Sequence, residues 1–435
     1  MKFFLPGVHT PHRKHTKDCK AIPMPAPEAV TLPTSMHIGK PARLLVKVGD
    51  EVFVGTKIAE ADGAVSSPVY ASVSGKVTKI FDMLLSNGKT CPAAVITSDG
   101  MMTPDPGITP PTVESREELV QAIAESGVVG LGGAGFPTHV KFAADPEKIE
   151  ELILNGAECE PYITSDTVTM LTRADDIAAA LRALQRFLGI KRVIIGIENN
   201  KPEAIAAMTA MAETLTGVEV KALPSLYPQG GEKVLVYHTT GKVIPMGKLP
   251  LEVGCIVANV TTVAAIGSYL RTGMPLVEKC VTVDGGAVAN CQNVIVPIGT
   301  PMADVFAFCG GFSEEPAKIL YGGPMMGIAV NDAKAPILKS TNAILALNKK
   351  EAKLPKTTAC IRCGACTNHC PFGLNPAAMA RAYERRDVKA LEDLALSLCM
   401  ECGCCSFICP ANRPLVQTNK LAKAYVRAEK AKEET

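Results

Sequence analysis

The chain has 435 residues, with Lys+Arg 45 against Asp+Glu 43 and a formal net charge of +2, and 47% of it is hydrophobic. Such a length predicts three or four units, each able to bury its own core, and the even charge leaves no electrostatic footprint for nucleic acid or anionic lipid. A membrane helix needs about 18 uninterrupted apolar residues, and the best candidate, 254–270, is broken by Asn259, Thr261, Thr262, Gly267 and Ser268.

Residues 1–35 are rich in Pro and polar residues and read as a solvated N-terminal arm. The apolar start is too short for a signal peptide, so a soluble, cytoplasmic chain that can dock on a membrane complex is expected. His9, His12 and His15 lie close together there, but an irregular arm offers them no fixed ligand geometry. From residue 36 to 101 short strands alternate with Gly, Asp, Ser and Pro turns, predicting an all-β module. The run V-G-D-E-V-x-x-G-T-K-I followed by S-G-K-V resembles the barrel-sandwich fold of biotinyl and lipoyl domains. The turn that would carry their prosthetic group, A-D-G-A-V-S-S-P, has no Lys, so a structural or docking module is expected.

The Pro- and Thr-dense stretch 102–112 reads as a linker. Over 113–270 strands and helices alternate, with helices expected at Arg116–Glu125, Asp175–Leu188 and Pro202–Leu215, which predicts an α/β domain with a largely parallel sheet. Residues 271–350 return to short strands with Gly turns and one helix at Met302–Phe308, an α+β unit of the ubiquitin-like, β-grasp kind. From 351 to 435 the pattern is helical apart from cysteine loops.

Of sixteen cysteines, nine lie between Cys360 and Cys409, in two copies of C-x-x-C-x-x-C-x-x-x-C-P. Thiolates at i, i+3 and i+6 suit a 4Fe-4S cluster, and in two-cluster modules of this pattern the fourth cysteine of each run serves the other cluster. Cys360, Cys363, Cys366 and Cys409 are therefore assigned to one cluster, and Cys399, Cys402, Cys405 and Cys370 to the second, with Cys404 unliganded. Zinc is the competing reading, but structural zinc takes separated pairs rather than triples followed by C-P. The 28 residues from 371 to 398 have helical periodicity and resemble α-helical ferredoxin modules of multi-subunit oxidoreductases.

The segment G-V-V-G-L-G-G-A-G-F-P-T-H-V-K, 127–141, follows a helix rather than a strand and is a poor ordinary Rossmann match. It resembles instead the flavin loop of the NADH-oxidising subunit of respiratory complex I. Three further runs resemble that family in the same order: N-G-A-E-C-E-P at 155–161, Y-P-Q-G-G-E at 227–232 and A-N-V-T-T at 258–262. The likeness implies non-covalent FMN and a site for NAD(H). Backbone N–H groups of Gly130, Gly132, Gly133 and Gly135 would approach ring or phosphate, Lys141 would neutralise phosphate, and Phe136 would stack on a ring. Asn155, Asn259 and Thr262 would hydrogen-bond the flavin, while Glu158, Glu160 and Glu232 would line the cleft, with Tyr227 and Gly230 beside it. Taken singly, Thr262 and Tyr227 read as structural residues rather than as ligand contacts.

Taken over residues 1–425, the order of modules and runs such as Y-G-G-P-M-M-G (321–327) resemble the RnfC component of the Rnf complexes. That resemblance implies an oxidoreductase component, peripheral on the cytoplasmic side of the cell membrane, that exchanges electrons between NAD(H) and ferredoxin while partner subunits move Na+ or H+. The expected path runs from NAD(H) through FMN to the Cys360–Cys366 cluster, then the second cluster, then a partner. The alternatives are a cobalamin reductase of the propanediol-utilisation type and a non-enzymatic iron-sulfur relay. No zinc-protease or nucleophile-elbow motif is present, and no catalytic side chain is assigned.

Overall fold

The computed structural model describes residues 5–86 and 88–433. Its first unit is a sandwich of two small sheets. One contains Ala29–Pro33, Thr90–Ser98, Gly75–Leu84 and Glu51–Val52 in that order, the other Arg43–Leu44, Lys57–Glu60 and Val69–Tyr70. Inward-facing residues such as Val30, Leu32, Val77, Ala94 and Ile96 are fully buried. The strand Ala29–Pro33 comes from the segment read as an arm and pairs antiparallel with Thr90–Ser98.

The central unit is a four-stranded, wholly parallel sheet in the order Val218–Leu223, Arg192–Glu198, Glu151–Gly156, Cys255–Asn259. Three of its strands carry apolar runs buried beneath helices, whereas the edge strand Val218–Leu223 alternates and is only partly buried. The helix Ala174–Leu188 presents Ile177, Leu181, Leu184 and Leu188 as a buried stripe at helical spacing and ends on left-handed Gly189. The helix Arg116–Glu125 begins with a reciprocal capping box between Ser115 and Glu118. The chain runs out from Glu151–Gly156 in one direction for two strands and returns to place Cys255–Asn259 on the other side. The crevice at the carboxyl ends of those two strands is thus the topological switch point, where open α/β sheets bind ligands.

A mixed six-stranded sheet follows, ordered Ile22–Pro23, Gln292–Pro297, Glu278–Asp284, Ala343–Leu347, Lys318–Tyr321, Ile328–Val330. Its core packs Val281, Val283, Val294, Val296 and Ile344 against Phe306 of the helix Met302–Phe308. The arm is docked along the fold rather than free: Ile22–Pro23 adds an exposed parallel edge strand to this sheet, and Val8 exchanges backbone hydrogen bonds with Tyr227. Local reading missed this because a two-residue strand and a single bridge leave no periodicity.

The last unit is helical, with Pro376–Glu384, Val388–Asp393 and Leu415–Glu433 around Met379, Leu391 and Ala422. No described helix is long and apolar enough to cross a membrane.

Candidate functional site

At the switch point lies a cleft of about 600 Å³. Asn155 on Glu151–Gly156 and Asn259 at the end of the edge strand Cys255–Asn259 are side-by-side register partners and line it together. The glycine loop arches over this end. Gly130 N–H donates to Phe136 O at 2.8 Å, Gly135 N–H to Gly130 O at 3.0 Å, and Leu131 N–H to Thr262 Oγ1 at 2.9 Å. Among the described residues the N–H groups of Gly132, Gly133 and Ala134 have no protein acceptor, so three successive donors are left for a ligand. Gly133 holds φ +123, and a Cβ there would enter open space. A Cβ on Gly132 would press on the Asn259 amide at 3.0 Å. Room above a donor-rich loop fits a planar ring with hydrogen-bonding edges or a phosphate.

Of the residues assigned from sequence, Gly130, Gly132, Gly133, Phe136, Lys141, Asn155, Glu158, Glu160, Tyr227, Gly230, Glu232, Asn259 and Thr262 all line this cleft. Gly135 does not. Its carbonyl accepts from Ile38 N–H and its α-carbon faces the sandwich module, so it serves the turn at φ +66.

Several of the side chains lining the cleft also hold its frame. Asn155 bridges Gly230 O and Ala157 N–H. Asn259 caps the helix Val260–Thr272 through Thr261 and Thr262 N–H and donates to Asp166 at 2.7 Å. Glu158 is buried, accepts from Asp166 N–H and Thr167 Oγ1, and pairs with Lys14 of the arm at 3.8 Å; burial pushes its carboxyl up. Lys141 is tied to Glu232 and to Val257 O, each at 3.0 Å, on the cleft wall.

Glu160 accepts from Met325 and Met326 N–H at 3.1 and 2.9 Å, which draws the 321–327 loop over the cleft. Burial pushes its carboxyl up to about 7. Two residues that sequence reasoning missed also fix the loop. Lys279 of the mixed sheet, fully buried, donates to Leu131 O at 2.6 Å. Lys339 donates to Ser67 Oγ, Pro68 O and Gly127 O. Burial pushes both amines down to about 7. These contacts span 148 to 272 positions of sequence, so no local pattern announces them.

The cysteine loops repeat one backbone. Arg362 and Glu401, each preceding the second cysteine of its run, are left-handed at φ 56 and 61, as are Gly364 and Gly403 after it. Non-glycine residues held there twice, at matching positions, mark a loop shaped for a ligand. Cys370, Cys399, Cys402 and Cys405 line one small cavity. Cys366 and Cys409 pack against a neighbouring apolar cluster of Ala380, Cys405, Leu415 and Val416, and Cys360 and Cys363 are exposed. Cys370, the fourth cysteine of its run, thus lies with the first three of the other run. Tetrahedral zinc would bring its sulfurs within about 3.8 Å of one another. Among the described residues no three of these sulfurs gather within 4.8 Å of one another. Cys404 is buried in the wall of that same cavity, with its thiol toward Tyr227 O.

The two sites touch. Tyr227, buried, donates its hydroxyl to Cys402 O at 2.7 Å, and Met400 lines both the cleft and the cysteine cavity. The run next to the cleft is therefore Cys399–Cys405, whereas Cys360–Cys366 lies outward, the reverse of the order expected from the sequence.

Comparison with known proteins agrees with this division. Residues 2–101 match the RnfC barrel sandwich hybrid domain, 123–268 the Nuo51 FMN-binding domain, 280–329 the SLBB domain and 356–413 the 4Fe-4S dicluster domain. Among solved structures, an NAD+-reducing [NiFe]-hydrogenase in the air-oxidized state aligns at TM-score 0.51 and 19% identity, over 73% of this chain and 67% of that one, a likeness of fold. The C component of the Na(+)-translocating ferredoxin:NAD(+) oxidoreductase complex of Acetobacterium woodii is 40% identical over 99% of this chain and 98% of its own length. Its proton-translocating counterpart from Clostridium ljungdahlii is 43% identical over 87% of this chain and 84% of its own. Identity at that level across all four units means that the chain belongs to the RnfC family, the C components of the ion-translocating ferredoxin:NAD(+) oxidoreductase complexes.

Proposed function

We propose that the chain passes electrons between NAD(H) and the ferredoxin side of such a complex, while partner subunits move Na+ or H+. It would sit peripherally on the cytoplasmic face of the membrane, and its mixed sheet would be a β-grasp unit at 271–350. The observation that carries the reading is the shared wall of cleft and cysteine cavity at Tyr227 and Met400. FMN held in the cleft would exchange a hydride with the nicotinamide and single electrons with 4Fe-4S clusters.

The residues have separable tasks in this reading. Gly132, Gly133 and Ala134 offer N–H groups and room to the flavin. Phe136 and the 321–327 loop, anchored by Glu160, enclose the nucleotide and exclude water. Lys141 and Glu232 fix the far wall. Cys370, Cys399, Cys402 and Cys405 hold the inner cluster in a largely apolar cavity, and Cys360, Cys363, Cys366 and Cys409 hold the outer one. The exposure of Cys360 and Cys363 makes the outer cluster the point of exchange with a partner subunit.

Protein purified without oxygen should contain about eight irons per chain and one flavin, and NADH should bleach both chromophores. Clusters without flavin or NADH response would support the iron-sulfur relay instead. Family membership speaks against the cobalamin reductase alternative.

A further inference from the structure

One cluster of ligand-bearing side chains lies outside both the cleft and the cysteine loops. His15 of the arm, Asp284 at the end of Glu278–Asp284 and Cys291 just before Gln292–Pro297 place one ligand atom each within 4.8 Å of one another. The two strands pair with Val283 opposite Gln292, so Asp284 and Cys291 face each other across the mouth of a hairpin. Asp284 is fully buried. Its Oδ1 accepts from His15 Nδ1 at 2.8 Å and from Gly285 N–H at 2.6 Å. Its Oδ2 is buried and has no hydrogen-bond partner.

A buried carboxylate oxygen without a partner is costly, and buried charges are ordinarily paired or bound to a metal. Among the described residues His15 is the only cationic group paired with Asp284. We propose that His15, Asp284 and Cys291 form a binding site for one zinc-like divalent cation, separate from the iron-sulfur ligands, which fastens the N-terminal arm to the mixed sheet.

The donor set selects the metal. Imidazole nitrogen, carboxylate oxygen and thiolate sulfur are the three donors zinc takes, at about 2.0–2.3 Å, which puts ligand atoms about 3.3–3.8 Å apart. Calcium and magnesium demand oxygen alone, and softer ions prefer several sulfurs. Two ligands are fixed by paired strands. The third, with a side chain 55% exposed, can swing its ring outward to admit the ion and leaves space for water as the fourth ligand. Cys291 releases its thiol proton to solvent on binding, as metal-bound cysteines do. The arm carries Lys14, whose amine bonds to Glu158 O and Glu160 O at the cleft, so a fixed arm also steadies the loop that carries Glu160.

The test uses the full chain, loaded with clusters under anaerobic conditions, equilibrated with Zn2+ and then dialysed. The expected content is one zinc beside about eight irons. The zinc absorption edge should report one sulfur at about 2.3 Å among nitrogen and oxygen ligands at about 2.0–2.1 Å. Asp284→Asn and Cys291→Ala should each lose that zinc and keep their iron. The proposal is overturned by wild-type chain that binds no zinc, by variants that keep it, or by an all-sulfur shell, which would put the metal in the cysteine loops. Should both variants fail to fold, the wild-type ligand shell alone decides.

Discussion

Replacing Gly133 by Ala separates the flavin site from everything else the chain does. The residue sits at φ +123 with nothing within 4 Å of an added Cβ. The substitution therefore meets no protein clash and acts in two ways. Backbone strain at a conformation that L residues rarely adopt costs about 1–3 kcal/mol. Spread over the loop's equilibrium, this reduces the binding-competent population about 5- to 150-fold, and the apparent flavin Kd rises by the same factor. In addition, the methyl group occupies the space above the three free N–H donors. Gly63→Ala supplies the control, since Gly63 has φ +103 and equally open surroundings but lies in the sandwich module. Flavin released from the purified variants is measured by fluorescence beside iron analysis. The expected result is that Gly133→Ala loses flavin at unchanged iron, while Gly63→Ala keeps both. Full flavin content with an unaltered Kd in Gly133→Ala would refute the placement of the ring over this loop.

Three other outcomes follow from the same geometry. Tyr227→Phe removes the buried hydroxyl bond to Cys402 O and leaves that carbonyl without its donor, at a cost of about 1–3 kcal/mol; slower cluster reduction by NADH at unchanged flavin content is expected in stopped-flow absorbance. Cys363→Ser should spare reduction of the inner cluster by NADH, whereas Cys399→Ser should abolish electron flow beyond the flavin, each variant dropping toward about four irons; electron paramagnetic resonance of NADH-treated samples distinguishes them, and the opposite pattern would restore the order expected from sequence. Lys279, pushed by burial from 10.5 down to about 7, binds fewer protons folded than unfolded between those values. Stability should therefore rise with pH from about 7 toward 10.5, by at most about 5 kcal/mol for this residue. Lys279→Met should flatten the dependence of the unfolding midpoint on pH in that window, and an unchanged slope would place its origin elsewhere.

What could be read from the sequence was whatever is written at short range. Thiolates three positions apart specify a loop, and the repeated run marks eight candidate ligands by spacing alone. Apolar runs bounded by Gly and Asp announce the parallel sheet, and the helix expected at Arg116–Glu125 stands there, capped by Ser115 and Glu118. The arm was misread because its order comes from distant partners: Val8 on Tyr227, Lys14 on Glu158, His15 on Asp284. The side chains assigned to the flavin, Asn155, Asn259 and Thr262, line one cleft, where Asn155 and Asn259 also bond to backbone. A motif locates residues without telling which group each one bonds.

The position of the inner cysteine run also explains why one chain joins four modules rather than leaving them as separate proteins. Electron transfer from cleft to cysteine cavity needs a wall that is thin and does not move. Here that wall is Tyr227 with Met400, and Tyr227 is held from the other side by the backbone of Val8 in the arm. The arm is in turn held by the mixed sheet through Ile22–Pro23 and by the cleft through Lys14. The same mixed sheet sends Lys279 to the glycine loop, and Lys339, just before its strand Ala343–Leu347, bonds to the loop's flank, so the flavin loop and the cysteine loop are referred to one rigid body. Most of those ties are hydrogen bonds to backbone carbonyls, which fix the position of a chain rather than the identity of a side chain. Loosening the arm should therefore impair transfer between flavin and inner cluster before it impairs either site's own occupancy, and deletion of residues 5–15 with flavin, iron and transfer rate measured together would expose that order.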